Sequence, residues 1–191
     1  MVGQGARAKI APPLRTLRDV EVLWNGLTSG LIDAIGSDHS AFGPQDKEGL
    51  DDAIFEAGFG APGIEHMFPL LYDRGVRRGR ISLSRLIELM STTASRIFNL
   101  PGKGTLRVGA DADVVLFDPE HPFVVDGAHC HGNAYYSLYE GWAGKGYVRT
   151  VLQRGKFVVR DGVLVGRPGQ GQFVHRPAIV GEGIRESIAA V

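Results

Sequence analysis

The chain has 191 residues, 43% of them hydrophobic and 22% charged, with 21 Lys and Arg balanced by 21 Asp and Glu. That apolar content can bury a core and excludes wholesale disorder, and zero net charge offers no field for a polyanion, which argues against nucleic acid as a partner. No apolar stretch reaches the roughly 18–20 residues of a membrane span, so no membrane is expected. The first thirteen residues, MVGQGARAKIAPP, lack the apolar core of a signal peptide. Cys130 is the only cysteine, which excludes an internal disulfide framework and a multi-cysteine zinc site. The chain reads as soluble and cytoplasmic, with one domain or two small ones.

In chain order, the first periodic signal is Val20, Leu23, Trp24 and Leu27, one face of a helix. Thr16 is its predicted N-cap, with Asp19 in the capping-box position and Gly30 as the stop. Residues 31–36 then form a short apolar run, predicted as a buried parallel strand that ends in Ser37-Asp38-His39-Ser40. The polar stretch 41–62 is expected to be a functional or partly disordered loop. Ile64, Met67, Phe68 and Leu71 repeat the helical spacing, with Pro69 expected to kink it. Leu83, Leu86, Ile87, Met90, Ala94, Ile97 and Phe98 predict one longer helix, capped by Ser82. Past Leu100 the period changes. Residues 113–117 read as a strand bounded by Asp118-Pro119, and 148–159 as two strands about Arg154-Gly155. Asp161-Gly162 signals a hairpin into Val163-Leu164-Val165, 167–171 a loop, and the last dozen residues a weak helix. The fold class is thus α/β followed by β, dividing near residue 101.

Asp38 is the foremost candidate for chemistry. A carboxylate at the C-terminal end of a parallel strand lies where α/β folds collect catalytic groups, although Asp also caps turns. Gly58-Phe59-Gly60-Ala61-Pro62-Gly63 matches G-x-G-x-x-G but lacks the strand that a dinucleotide fingerprint requires, so a plain loop is the better reading. His129-Cys130-His131 has metal-site chemistry, yet only His121 is near enough in sequence to help; an exposed or interface loop is favoured. Asp111 and Asp113 are explained by turn chemistry. Arg74, Arg77, Arg78 and Arg80 read as a solvated helix end favoured by the dipole.

Ala11-Pro12-Pro13-Leu14-Arg15 and, further on, Ser37-Asp38-His39 resemble the x-P-P-L-R segment and the S-D-H segment on the last barrel strand of the cyclic amidohydrolases, the family of hydantoinases, dihydropyrimidinases, allantoinases and dihydroorotases. Pro62-Gly63-Ile64-Glu65 resembles its P-G-x-E, Ser91-Thr92-Thr93-Ala94 its helix, and residues 104–113 its G-x-I-x-x-G-x-D-A-D turn. Tyr139-Glu140-Gly141 and residues 154–162 are similar to the hydantoinase and dihydropyrimidinase branch. The match runs nearly the whole chain.

The resemblance implies a metal-dependent hydrolase that opens a small cyclic amide or ureide, with two divalent ions, usually zinc, sharing a hydroxide. It implies that Asp38 binds one metal and moves the proton, and that backbone near Ala11 and Thr93 holds the substrate ring. The hydantoinase branch usually has Ser or Cys at the position of Ala11 and Asn at that of Thr93; allantoinases also show A-P-P. A (β/α)₈ barrel takes about 250 residues, and the family's carboxylated lysine and histidine ligands precede the x-P-P-L-R segment. The chain therefore reads as the C-terminal segment of such a barrel (residues 1–100) plus part of a small β-sandwich domain with a tail (residues 101–191). It is expected to be inactive alone and to form a homo-oligomer when intact. The rival readings are a non-catalytic scaffold protein of the same fold and a short chain that completes a barrel with a separate partner.

Overall fold

The computed structural model describes residues 4–177. Helix α1 (Leu17–Ser29) begins at Thr16, whose hydroxyl accepts from the Asp19 amide while the Asp19 carboxylate accepts from Thr16 in return. It stops at Gly30, which takes the left-handed conformation at φ 80° that glycine adopts without steric cost. Helix α2 (Ile64–Leu71) contains Pro69, and the chain does not break there but continues into a π-helical turn, Tyr72–Val76. The long helix expected over 83–98 is instead three pieces. These are α3 (Leu83–Ile87), a π-helical turn (Glu88–Thr92) and α4 (Thr93–Ile97), with the Ser82 hydroxyl capping α3 through the Arg85 amide. The wide turn shifts the register immediately before Thr93.

Four antiparallel strands follow in the order β1-β2-β3-β4: β1 (Val114–Val124), β2 (Ala143–Gln153), β3 (Lys156–Arg160) and β4 (Val163–Leu164). Arg154-Gly155 and Asp161-Gly162 all have positive φ, the signature of the two-residue turns that suit strand twist. β1 runs past Asp118-Pro119, where a stop was expected. A bulge between Asp118 and Pro122 absorbs the proline, and the Asp118 carboxylate accepts from the Glu120 and His121 amides that leave the ladder. The described residues form this one sheet, so the expected sandwich is not completed among them. The predicted terminal helix lies outside the described residues.

The buried parallel strand over residues 31–36 is also corrected. The segment is extended but carries no ladder, Leu31 is 82% exposed, and its neighbourhood has one isolated parallel bridge, His39 to Ala61. A strand forms only against a partner, and the described residues supply none beside it. Its inner residues Ile32 and Ile35 still pack on the core made by Leu27, Tyr72, Ile81, Leu86 and Leu89. Phe117 meets Tyr72 and Phe68 edge to face at 4.7 and 4.9 Å, joining the sheet to that helical core.

Candidate functional site

Asp38 ends the extended segment. Its carboxylate is exposed and, among the described residues, makes no hydrogen bond or ion pair, and its backbone stands at φ 45°. Both flanks are held. The Ile35 amide donates to the Leu89 carbonyl at 3.0 Å, four residues before Thr93, and the Ser40 amide to the Ala61 carbonyl at 3.1 Å. Next to Asp38, the His39 ring accepts from the Gly63 amide at 3.1 Å through Nδ1, so the ring hydrogen is on Nε2. Gly63 precedes α2, whose N-terminus has no cap from its own side chain, and His39 supplies one from a distance.

The segment bearing Ala11 reaches the same loop from the other side. The Gly60 amide donates to the Lys9 carbonyl at 3.1 Å, and Ala11 is exposed two residues on. The expected loose loop over 41–62 is instead laced down by two lysines. Lys9 Nζ donates to the carbonyls of Phe55 and Ala57 at 3.0 and 2.6 Å, and Lys47, 1% exposed, donates to those of Ala6, Lys9 and Gly58. Burial pushes the Lys47 ammonium below the ordinary lysine range, and the charge of Lys9 adds to this. Loop 58–63 is thus a shared wall: it holds His39 and Ser40 on one side and Lys9 on the other. Thr93 is half-buried at the start of α4, and the Thr92 hydroxyl donates to the Gly104 carbonyl at 3.0 Å.

The glycine run of this loop is no phosphate cradle. The Gly58 amide donates to Asp46, Gly60 to Lys9, and a Cβ on Gly60 would stand 2.3 Å from the Ser40 hydroxyl. Asp111 and Asp113 prove structural: both pair with Lys103, and Asp113 also accepts from the Arg154 amide at 2.8 Å. The basic run is less solvated than expected. Arg77 pairs with Asp73, Arg74 stacks over Trp142, and Arg80 makes a two-pronged bond to Glu21, which leaves Arg78 on the open surface.

His129-Cys130-His131 does not converge on one point. His129 turns to Asp126, His131 to Glu65 at 2.9 Å, and the Cys130 thiol to His66. Glu65, His66, Cys130 and His131 line, with His39 and Pro62, a cavity of about 280 Å³. Lys47, Glu65 and His66 escape sequence reasoning. A lone basic residue in an otherwise acidic loop is the only signal for Lys47, and Glu65 carried one as the last residue of the P-G-x-E string. Among the described residues no three His, Cys, Asp or Glu side chains form a metal-holding group. The described residues therefore do not fit a dinuclear centre by themselves.

Residues 11–158 match the Amidohydrolase family. The chain belongs to that family. It is 43% identical to a D-hydantoinase of Rhizobium radiobacter over 177 residues, which covers 91% of this chain and 38% of that protein. It is 38% identical to a D-phenylhydantoinase of Escherichia coli over 178 residues, 92% of this chain and 39% of that one. Among solved structures, D-hydantoinase from a Bacillus sp. AR9 superposes with a TM-score of 0.86 at 40% identity, over 90% of this chain and 38% of that one. The D-hydantoinase (dihydropyrimidinase) of a Thermus sp. gives 0.85 at 38% identity, with the same coverage. This amidohydrolase chain thus spans about 38% of the length of these D-hydantoinase relatives.

Proposed function

We propose that this chain is the C-terminal part of a hydrolase that opens a C–N bond in a five- or six-membered cyclic amide, of the hydantoin or dihydrouracil kind. The observation that carries this is 43% identity, over nine-tenths of the chain, to a D-hydantoinase. Asp38 is the group that moves the proton. A carboxylate that is exposed, without a partner and rigidly flanked can take a proton from attacking water and return it to the leaving ring nitrogen. Backbone at Ala11 and Thr93 orients the ring, the first placed by the Lys9–Gly60 bond and the second by the π-helical turn before it. The two divalent ions that the resemblance implies would polarise the carbonyl and lower the pKa of water; their lysine and histidine ligands would come from outside these residues.

The test is a transplant. Residues 11–177 of this chain replace the matching segment of the Rhizobium radiobacter D-hydantoinase, and turnover of hydantoin and dihydrouracil is measured. We expect the chimera to turn over and its Asp38→Asn variant to lose about a thousandfold or more in kcat. A folded, metal-loaded chimera without turnover overturns the proposal. The isolated chain with added Zn²⁺ is expected to be inactive, and turnover by it would overturn its incompleteness.

A further inference from the structure

Lys47 is the most deeply buried charged side chain among the described residues, at 1% exposure, and the hydrolytic reading gives it no task. An ammonium carries three donors. Those of Lys47 go to three backbone carbonyls: Ala6 at 3.4 Å and Lys9 at 3.0 Å, on the segment leading to Ala11, and Gly58, on the loop that flanks Asp38. The face of Phe42 lies 5.2 Å from the same nitrogen. A buried charge costs free energy unless hydrogen bonds replace its water. Here backbone carbonyls replace it, so the three directions of the ammonium fix where those carbonyls stand.

Lys47 belongs to neither of the segments it joins. It follows the 3₁₀ turn Pro44–Asp46, and that stretch grips Gly58 twice. The Gly58 amide donates to the Asp46 carbonyl at 3.3 Å, and the Gly58 carbonyl accepts from Lys47. Two residues on, the Gly60 amide donates to the Lys9 carbonyl, which thus accepts from Gly60 and Lys47 together. The Ala61 carbonyl then accepts from the Ser40 amide, two residues past Asp38. Gly60 is packed so closely on Ser40 that movement of the loop passes directly to that residue. We propose that Lys47 is a positioning residue of the hydrolytic site, setting the spacing between the ring-binding backbone at Ala11 and the Asp38 carboxylate. This rests on the hydrolytic reading.

Loss of the ammonium falls unequally on the two sides. Asp38 keeps an anchor that Lys47 does not touch, the Ile35 amide on the Leu89 carbonyl at 3.0 Å. The other side-chain holds on the Ala11 segment come from the same stretch of loop as Lys47: the Ala6 amide donates to Asp51 at 2.8 Å, and Arg7 pairs with Glu48. A loosened clip therefore displaces the backbone at Ala11 more than the carboxylate. The kinetic signature is a rise in KM with kcat nearly kept.

The test uses the D-hydantoinase chimera, begun at residue 4 so that Ala6 and Lys9 come with the loop, and reads KM and kcat separately. Lys47→Met keeps the length of the side chain and removes its donors. We expect KM for hydantoin to rise about tenfold and kcat to change less than about threefold. Lys47→Gln, with two donors on a shorter stem, is expected to fall between Lys47→Met and the wild type. Gly155→Ala, which strains the β2–β3 turn, is expected to leave KM and kcat unchanged and so separates positioning from lost stability. In the 191-residue chain, where no turnover is needed, hydrogen exchange at the Gly60 and Ser40 amides is expected to rise about tenfold in Lys47→Met, with the Ile35 amide unchanged. An unchanged KM in both Lys47 variants of an active chimera, a loss confined to kcat, or exchange rising at Ile35 as much as at Gly60 overturns the positioning role. A wild-type chimera without turnover overturns the hydrolytic reading instead, and the exchange pattern then decides whether Lys47 joins the two segments.

Discussion

Asp38 and Lys47 show two opposite uses of a charged residue. The Asp38 carboxylate is exposed and makes no hydrogen bond or ion pair among the described residues, so the fold gains little from it. Asp38→Asn also retains a side chain that tolerates positive φ. We expect its urea midpoint to shift by the equivalent of less than about 0.5 kcal/mol, the range of surface substitutions. Loss of turnover in the chimera together with an unchanged urea midpoint would mark Asp38 as held for chemistry. Lys47 is the reverse: 1% exposed, it gathers three backbone carbonyls from two segments. Lys47→Met leaves those acceptors without their donor, and the cost expected in urea unfolding is about 1–3 kcal/mol. Amide exchange at Gly60 should rise with it, because that amide joins the two segments.

At the scale of elements, the ends and turns follow local chemistry. Thr16→Ala removes the reciprocal cap of α1, and a loss of about 1 kcal/mol is expected by thermal or urea unfolding. Gly155→Ala forces a side chain into φ 75° in the β2–β3 turn and should cost about 1 kcal/mol or more. Between α4 and β1, Lys103 donates to the Asp113 and Asp111 carboxylates, which raise it above the ordinary lysine value. The folded chain therefore holds that proton more tightly than the unfolded one. Its contribution is complete below the unfolded lysine pKa and is lost as pH rises through the folded one. Chemical shifts of Asp111 and Asp113 should report this loss at alkaline pH, with Lys103→Gln abolishing the step.

At the scale of the whole molecule, the chain shows more apolar surface than a finished domain. Leu17, Leu31, Phe55, Leu106 and Phe173 are each at least 80% exposed, and the segment before Asp38 lacks a ladder. Apolar patches and unpaired strand segments associate. The isolated chain is expected to self-associate with rising concentration by sedimentation velocity; a monomer across the micromolar range would speak against an incomplete fold. The run 31–36 carries the composition of a buried parallel strand, but composition does not bring the neighbour that would pair with it.

Caps, hairpins and motif order are legible in the amino acids because each depends on residues a few positions apart. Thr16 with Asp19, Gly30, Ser82, Arg154-Gly155 and Asp161-Gly162 all act within one turn of chain. Asp38 was singled out in the same local way, from the apolar run before it and from a short string of fixed order. The π-helical turn before Thr93, the passage of β1 through Pro119, the lysine lacing of loop 41–62 and the meeting of Cys130 with His66 were not visible. Each of these depends on partners that folding brings together or on how an element is packed. His66 and Cys130 lie 64 positions apart, and no local propensity encodes such a distance. Tertiary packing alone decided which polar groups met, and with that which of the candidate residues were left exposed and unpaired.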